Sequence, residues 1–309
     1  MRKIPLAALC ASLALTVTSA LPASATTAAA PCTWVASDLP LPAGAEGGSV
    51  RAAGPNGHLV GLTFLDGKLA PVTWHNRVVS TVAAAPGGAS IVPVAINGDG
   101  QIAGYYGSGG SFRLRDGSYQ NLPSPAGRTG YAVAINSAGD IAGRLSGGAG
   151  TETIIWPASA PGTYRIVPGG QPAGIDDAGR VVTEPGVIWS PDGSSVKLEN
   201  RGRRVTVGKY QGGRIVGRFD NEEVVTEWDL TGKVVRQTPA NVVMGINSSG
   251  LLAAWWFKSG TNTLGTWRDG TFLGEVGLSL RVDAVTEDDL LAGSHGPSSP
   301  WVPATWSCA

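Results

Sequence analysis

The stretch "INGDGQIAG" at 96–104 returns as "INSAGDIAG" at 135–143, "IDDAGRVVT" at 175–183 and "INSSGLLAA" at 246–254. Looser copies stand at 53–61, 208–217 and 285–293, so the closing positions are 61, 104, 143, 183, 217, 254 and 293. A repeat of about 39 residues constrains the fold more than any other feature here, because so small a unit cannot bury a core alone and must stack on its neighbours. Taken singly, the first copy invites a phosphate or calcium reading through its glycines, Asn97 and Asp99. Its G-x-G-x-x-x-G spacing misses the dinucleotide fingerprint by one residue, and it does not match the calcium loop. Recurrence assigns it to a turn instead.

Each copy reads as four short strands. "VAI" is the first, and Asn-x-x-Gly makes the turn, since Asn and Gly tolerate the positive φ of tight hairpins. "QIAG" opens the second strand. A Trp marks the third: Trp74, Trp156, Trp267 and Trp306 at a similar offset, with Trp189 and Trp228 in copies with shorter inserts and Leu114 in the second copy. Turns such as "RDGS" at 115–118 lead to a fourth segment, "YQNLP". Four-stranded units of this length with a recurrent Trp predict an all-β, seven-bladed β-propeller, the Trp lying between blades. A linear stack of repeats is the alternative architecture. The fourth copy, only 34 residues before its successor, is expected to make the weakest blade.

The last copy ends in "PATWSCA" and lacks a fourth strand, whereas "CTWVASDLPLPAG" at 32–44 is similar to "FRLRDGSYQNLPSPAG" at 112–127. The N-terminal strand is therefore expected to complete the last blade. That would set Cys32 beside Cys308 for a disulfide; two free or intermolecular thiols are the alternative. Arg2 and Lys3, the apolar run "IPLAALCASLALTV" and Ala23-Ser24-Ala25 form a secretory leader over residues 1–25. The apolar run is short of the ~20 residues that span a bilayer. One propeller over 26–309, secreted and extracellular, with no membrane insertion, is the domain reading. Without the leader, 21 basic side chains face 23 acidic ones, a formal charge of −2 that argues against nucleic acid.

The repeats resemble the extracellular HAF-repeat family, with its A-x-x-I-N-x-x-G-x-(I/V)-(V/A)-G pattern, an aromatic-rich strand and a D-G turn. No copy reads His-Ala-Phe; "GSFRLRDG" at 110–117 comes nearest. The resemblance implies a secreted propeller without an assigned general activity. The Ala- and Gly-rich composition resembles proteins of filamentous actinobacteria, some of whose secreted propellers serve as lectin-like subunits of multi-protein toxin particles.

Chemistry is sparse. His58, His75 and His295 do not stand at metal-ligand spacing, and no G-x-S-x-G elbow occurs. No metal, cofactor or catalytic residue is assigned. The one enzyme alternative is a glycoside hydrolase using paired carboxylates from Glu184, Asp220, Glu222 and Glu223. The favoured reading is a non-catalytic, lectin-like recognition module for a glycan or a surface or secreted protein, possible as a subunit of a secreted complex. The position after each closing residue reads Leu62, Tyr105, Arg144, Glu184, Arg218, Trp255 and Ser294, diverse where the preceding motif is monotonous. Tyr105, Tyr106, Trp255 and Trp256 offer aromatic platforms, and Arg144, Glu184 and Arg218 planar hydrogen-bonding partners, for a sugar. Trp255 and Trp256 fit equally well as blade packing, and the arginines as structural ion pairs.

Overall fold

Alternating apolar residues on either side of a tight turn make each repeat a run of antiparallel hairpins. In the computed structural model, which describes residues 31–258, 260–277, 280–296 and 300–309, the hairpins form seven four-stranded sheets. The leader expected over residues 1–25 lies outside the described residues. Six blades are continuous in the chain. Their inner strands are Ala45–Ala53, Ile91–Ile96, Thr129–Ile135, Pro172–Ile175, Val205–Gln211 and Val242–Ile246. The seventh blade runs Leu280–Val285, Leu291–His295 and Val302–Cys308, and takes its outer strand, Trp34–Asp38, from the other end of the described chain. Trp34 stands opposite Cys308 in that register. A Cys32–Cys308 disulfide, with Cα atoms 5.1 Å apart, locks the joint. Such bonds persist in oxidising compartments. Blade four has the shortest strands, of four, three, three and three residues.

The core is not one mass. Seven clusters of buried side chains occur, one at each junction between neighbouring blades. Trp74, Trp156, Trp228, Trp267 and Trp306 are all buried there. In blades one and three the glycines that close the motif, Gly61 and Gly143, make room for the ring. A Cβ on Gly143 would come within 2.5 Å of Trp156 Cζ3 and 2.6 Å of the Tyr131 carbonyl. In blade two Leu114 holds the Trp register opposite Ile102, but the ring beneath Gly104 is Phe112.

The turn asparagine plays a part other than the one expected of it. Gly100, Gly139, Gly179 and Gly250 take the positive φ of the turns. Asn97 does not; its Oδ1 accepts from the amides of Asp99 and Gln101, while its Nδ2 donates to the carbonyl of Asn136 in the next blade, 3.1 Å away. Asn136 repeats this toward Asp176, and Asn247 toward Thr286. The short amide side chain both caps its own turn and couples it to the next.

Each inner strand also carries a β-bulge just before its turn. A bulge leaves one residue unpaired and re-aims its side chain. The bulged residues are Arg51, Val94, Val133, Ala173, Gly208, Met244 and Asp283, and all but Gly208 line a central cavity of about 480 Å³ that opens among the Asn-x-x-Gly turns.

Candidate functional site: the rim opposite the turns

Second strands run from the turn rim to the opposite rim, so the residue after each closing position ends near that opposite rim. Strand alternation then divides the expected site residues. Tyr105 and Tyr106 are successive in Ile102–Tyr106 and must face opposite sides of their sheet. Tyr105 faces blade three, edge-on to Tyr131 with ring centroids 5.6 Å apart. Tyr106 turns back into the junction with blade one, against Phe112, its hydroxyl donating to Asn121 Oδ1 at 2.7 Å. Burial raises the Tyr106 phenol above its ordinary range.

Trp255 and Trp256 split in the same way. Trp255 is half-buried against the junction of blades six and seven. Trp256 packs toward blade five, at 5.9 Å from Trp267 and 5.4 Å from Phe272. Both lend their rings to blade packing and leave only part of their surface at the rim.

The remaining residues, Arg144, Glu184 and Arg218, lie on blades three, four and five. Arg144 stands opposite Tyr131 in the hairpin register, and its guanidinium lies 5.3 Å from the centre of the Tyr131 ring. Such a contact contributes about 0.5–1 kcal/mol at an exposed site. Arg144 and Glu184 line one shallow cleft of about 580 Å³ with Thr151, Gln171 and Arg204. Arg204 also lines the adjoining cleft, with Arg203, Asp220 and Asn221. Arg218 is exposed in blade five, in register with Thr206. Among the described residues, Arg144, Glu184, Arg204 and Arg218 make no ion pair. Arg203, by contrast, is paired with Glu222, and Asp220 accepts a hydrogen bond from Thr206 Oγ1 at 3.2 Å.

Tyr131 and Arg204 were not legible as site residues. Tyr131 precedes the repeated motif rather than following it, and only the hairpin register sets it beside Arg144. The surface thus combines two tyrosine rings, a stacked guanidinium, a second guanidinium and one carboxylate. It can stack on an apolar face and hydrogen-bond to hydroxyls or anionic groups.

The histidines stand apart from it. His58 and His75 stack in parallel on the turn rim, centroids 4.0 Å apart, and His295 Nε2 lies 2.7 Å from Asp38 Oδ1 across the seventh blade. Among the described residues, no group of three or more His, Cys, Asp or Glu is placed to hold a metal ion, and no helix is long and apolar enough to cross a membrane.

No family model and no curated protein matches the chain. Solved structures do. The chain is similar to an oligogalacturonate lyase in complex with manganese at a TM-score of 0.64 and 11% identity, covering 90% of this chain and 97% of that one. A streptogramin B lyase matches at 0.59 and 13%, covering 89% and 98%. The WD40 repeats of RRP9 match at 0.58 and 13%, covering 91% and 100%. At such identities the likeness is one of fold alone, and the fold of this chain is a seven-bladed β-propeller closed by the strand Trp34–Asp38.

Proposed function

We propose that this protein is a secreted, non-catalytic recognition module of the HAF-repeat type, and that it captures a glycan on the rim bearing Tyr105, Tyr131, Arg144 and Glu184. The observation that carries the reading is the exposed Arg144 guanidinium, stacked on Tyr131 and sharing a cleft with Glu184 and Arg204 without an ion pair. A structural arginine would be expected to hold a carboxylate; this one is held by a ring and leaves its N–H groups toward solvent. Sugar recognition uses the same combination, an aromatic face for C–H groups and planar hydrogen-bonders for hydroxyls. The leader and the disulfide support export.

A glycan-array screen of the mature protein, run beside a pull-down from culture supernatant, tests the reading. Array binding that is competed by free sugar supports it. Capture of a protein alone, with no glycan signal, replaces the glycan by a protein partner on the same module. The second reading is a glycoside hydrolase, since Glu184 and Asp220 line neighbouring clefts that share Arg204. Turnover of a glycoside that Glu184→Gln abolishes would establish it.

A further inference from the structure

The bulged position of the inner strand is small or apolar in five blades, and charged only in blades one and seven, which are neighbours: Arg51 and Asp283. Beside the bulge of blade five stands Lys209, which lines the same cavity. Arg51, Lys209 and Asp283 therefore face one concavity of about 480 Å³, whose other charged lining residues are already held in the turns: Asp176 by Arg180, Asp177 by the Ser137 amide and Glu287 by Ser248.

Their partners do not balance. Asp283 Oδ1 is held by Arg281 at 2.8 Å, but Asp283 Oδ2 is buried without a hydrogen-bond donor, and Arg51 Nε is buried without an acceptor. Among the described residues, Arg51 and Lys209 form no ion pair or side-chain hydrogen bond. Burial pulls the Lys209 ammonium below its ordinary range while Asp283 pulls it back up. Burial pushes the Asp283 carboxyl up against the pull of Arg281, Arg51 and Lys209. Buried charge is costly unless a counter-charge or hydrogen bond offsets it. The set asks for an anion between Arg51 and Lys209 and a hydrogen-bond donor against Asp283 Oδ2.

We propose that the central cavity is a binding site for a small carboxylate that carries a hydroxyl or amino group near its acid, with Arg51 and Lys209 receiving the carboxylate and Asp283 the donor. The cavity opens on the turn rim, opposite Arg144, so the inference does not rest on the glycan reading. Sugar acids and amino acids share the required chemistry.

Isothermal titration of the mature protein with D-gluconate, D-glucuronate, L-serine and L-glutamate, with glucose as neutral control, tests the site and tells the two sources apart. One equivalent of a carboxylate should bind and glucose should not. Arg51→Met and Lys209→Met should each weaken binding at least tenfold, while Tyr105→Ala with Arg144→Ala should leave it unchanged. Should the cavity variants fold poorly, the native protein answers: the bound carboxylate should protect Lys209, but not Lys68 or Lys233, from an amine-reactive label read by peptide mass spectrometry. No binding by any of the four acids below about 10 mM, or a bound acid that leaves Lys209 labelling unchanged, would overturn the proposal.

Discussion

The indole Nε1 of Trp74 donates to the carbonyl of Pro40 at 2.7 Å. Trp74 belongs to the first blade, whereas Pro40 follows the strand that completes the seventh. Trp156 makes the same bond to Pro123, and Trp228 to Glu199, each reaching the end of the preceding blade's outer strand. The likeness between 32–44 and 112–127 is thus a likeness of position: Leu39-Pro40 and Leu122-Pro123 are equivalent corners that receive the next blade's Trp. In blade two Tyr119 takes over the task, its hydroxyl donating to Ala83 at 2.7 Å.

Trp74→Phe should keep most of the packing and lose this bond across the closure. A loss of roughly 1–2 kcal/mol is expected, read as a lower urea midpoint at unchanged slope. An unchanged midpoint would show that the bond adds nothing to closure.

The disulfide joins residues 276 apart in sequence. Loop-closure entropy gives an upper figure of about 5 kcal/mol for so long a loop. Reduction of the native protein should lower its melting temperature by several degrees, and intact mass before reduction should be two hydrogens short. Thiol labelling of the unreduced protein would contradict the bond.

Tyr105→Ala with Arg144→Ala should weaken glycan capture at least tenfold while moving the melting temperature by no more than a few degrees. Arg144 is exposed and Tyr105 half-buried, and substitutions at such sites usually cost little. Equal loss of capture and of stability would point to a folding role instead.

Gly143→Ala places a Cβ against Trp156 and the Tyr131 backbone, neither of which has room to retreat within a closed ring. Overpacking of this kind costs roughly 1–3 kcal/mol, and thermal unfolding should show it. Gly117→Ala is a contrasting test, since a Cβ there meets nothing within 4 Å and only its positive φ of 73° opposes the change.

The stacked pair of His58 and His75 should make stability depend on mild acid. Burial first, and then His75, lower the His58 pKa below 6.5, with Asp99 opposing. The unfolded chain then binds more protons than the folded one, so stability rises with pH through this window. The contribution is complete above 6.5 and is lost as pH falls toward the lowered folded value. Melting curves of His58→Gln and the parent from about pH 5 to 7.5 should converge on acidification, and parallel curves would refute the linkage.

Local patterns were legible in the sequence because they are written within one repeat: the strand–turn–strand unit, its seven copies, the displaced Trp34–Asp38 strand and the Cys32–Cys308 partnership. Residues whose role spans two blades were not. Asn97 reads as a turn former, yet its Nδ2 belongs to the next blade's backbone. Tyr105 and Tyr106 read as one aromatic platform, yet the pleat sends them to different junctions. Arg144 and Glu184 could be set on one rim from their repeat positions, but Tyr131 and Arg204 join them only through register and the neighbouring blade. Arg51 and Asp283 lie outside the repeated motif, Lys209 sits in one of its loose copies, and the three lie up to 232 residues apart in number. They meet because every inner strand bulges just before its turn, with Lys209 beside the bulge of its own strand, and because ring closure turns seven equivalent positions toward one axis. Periodicity records which residues alternate within a strand; only the closed ring decides which of them face each other.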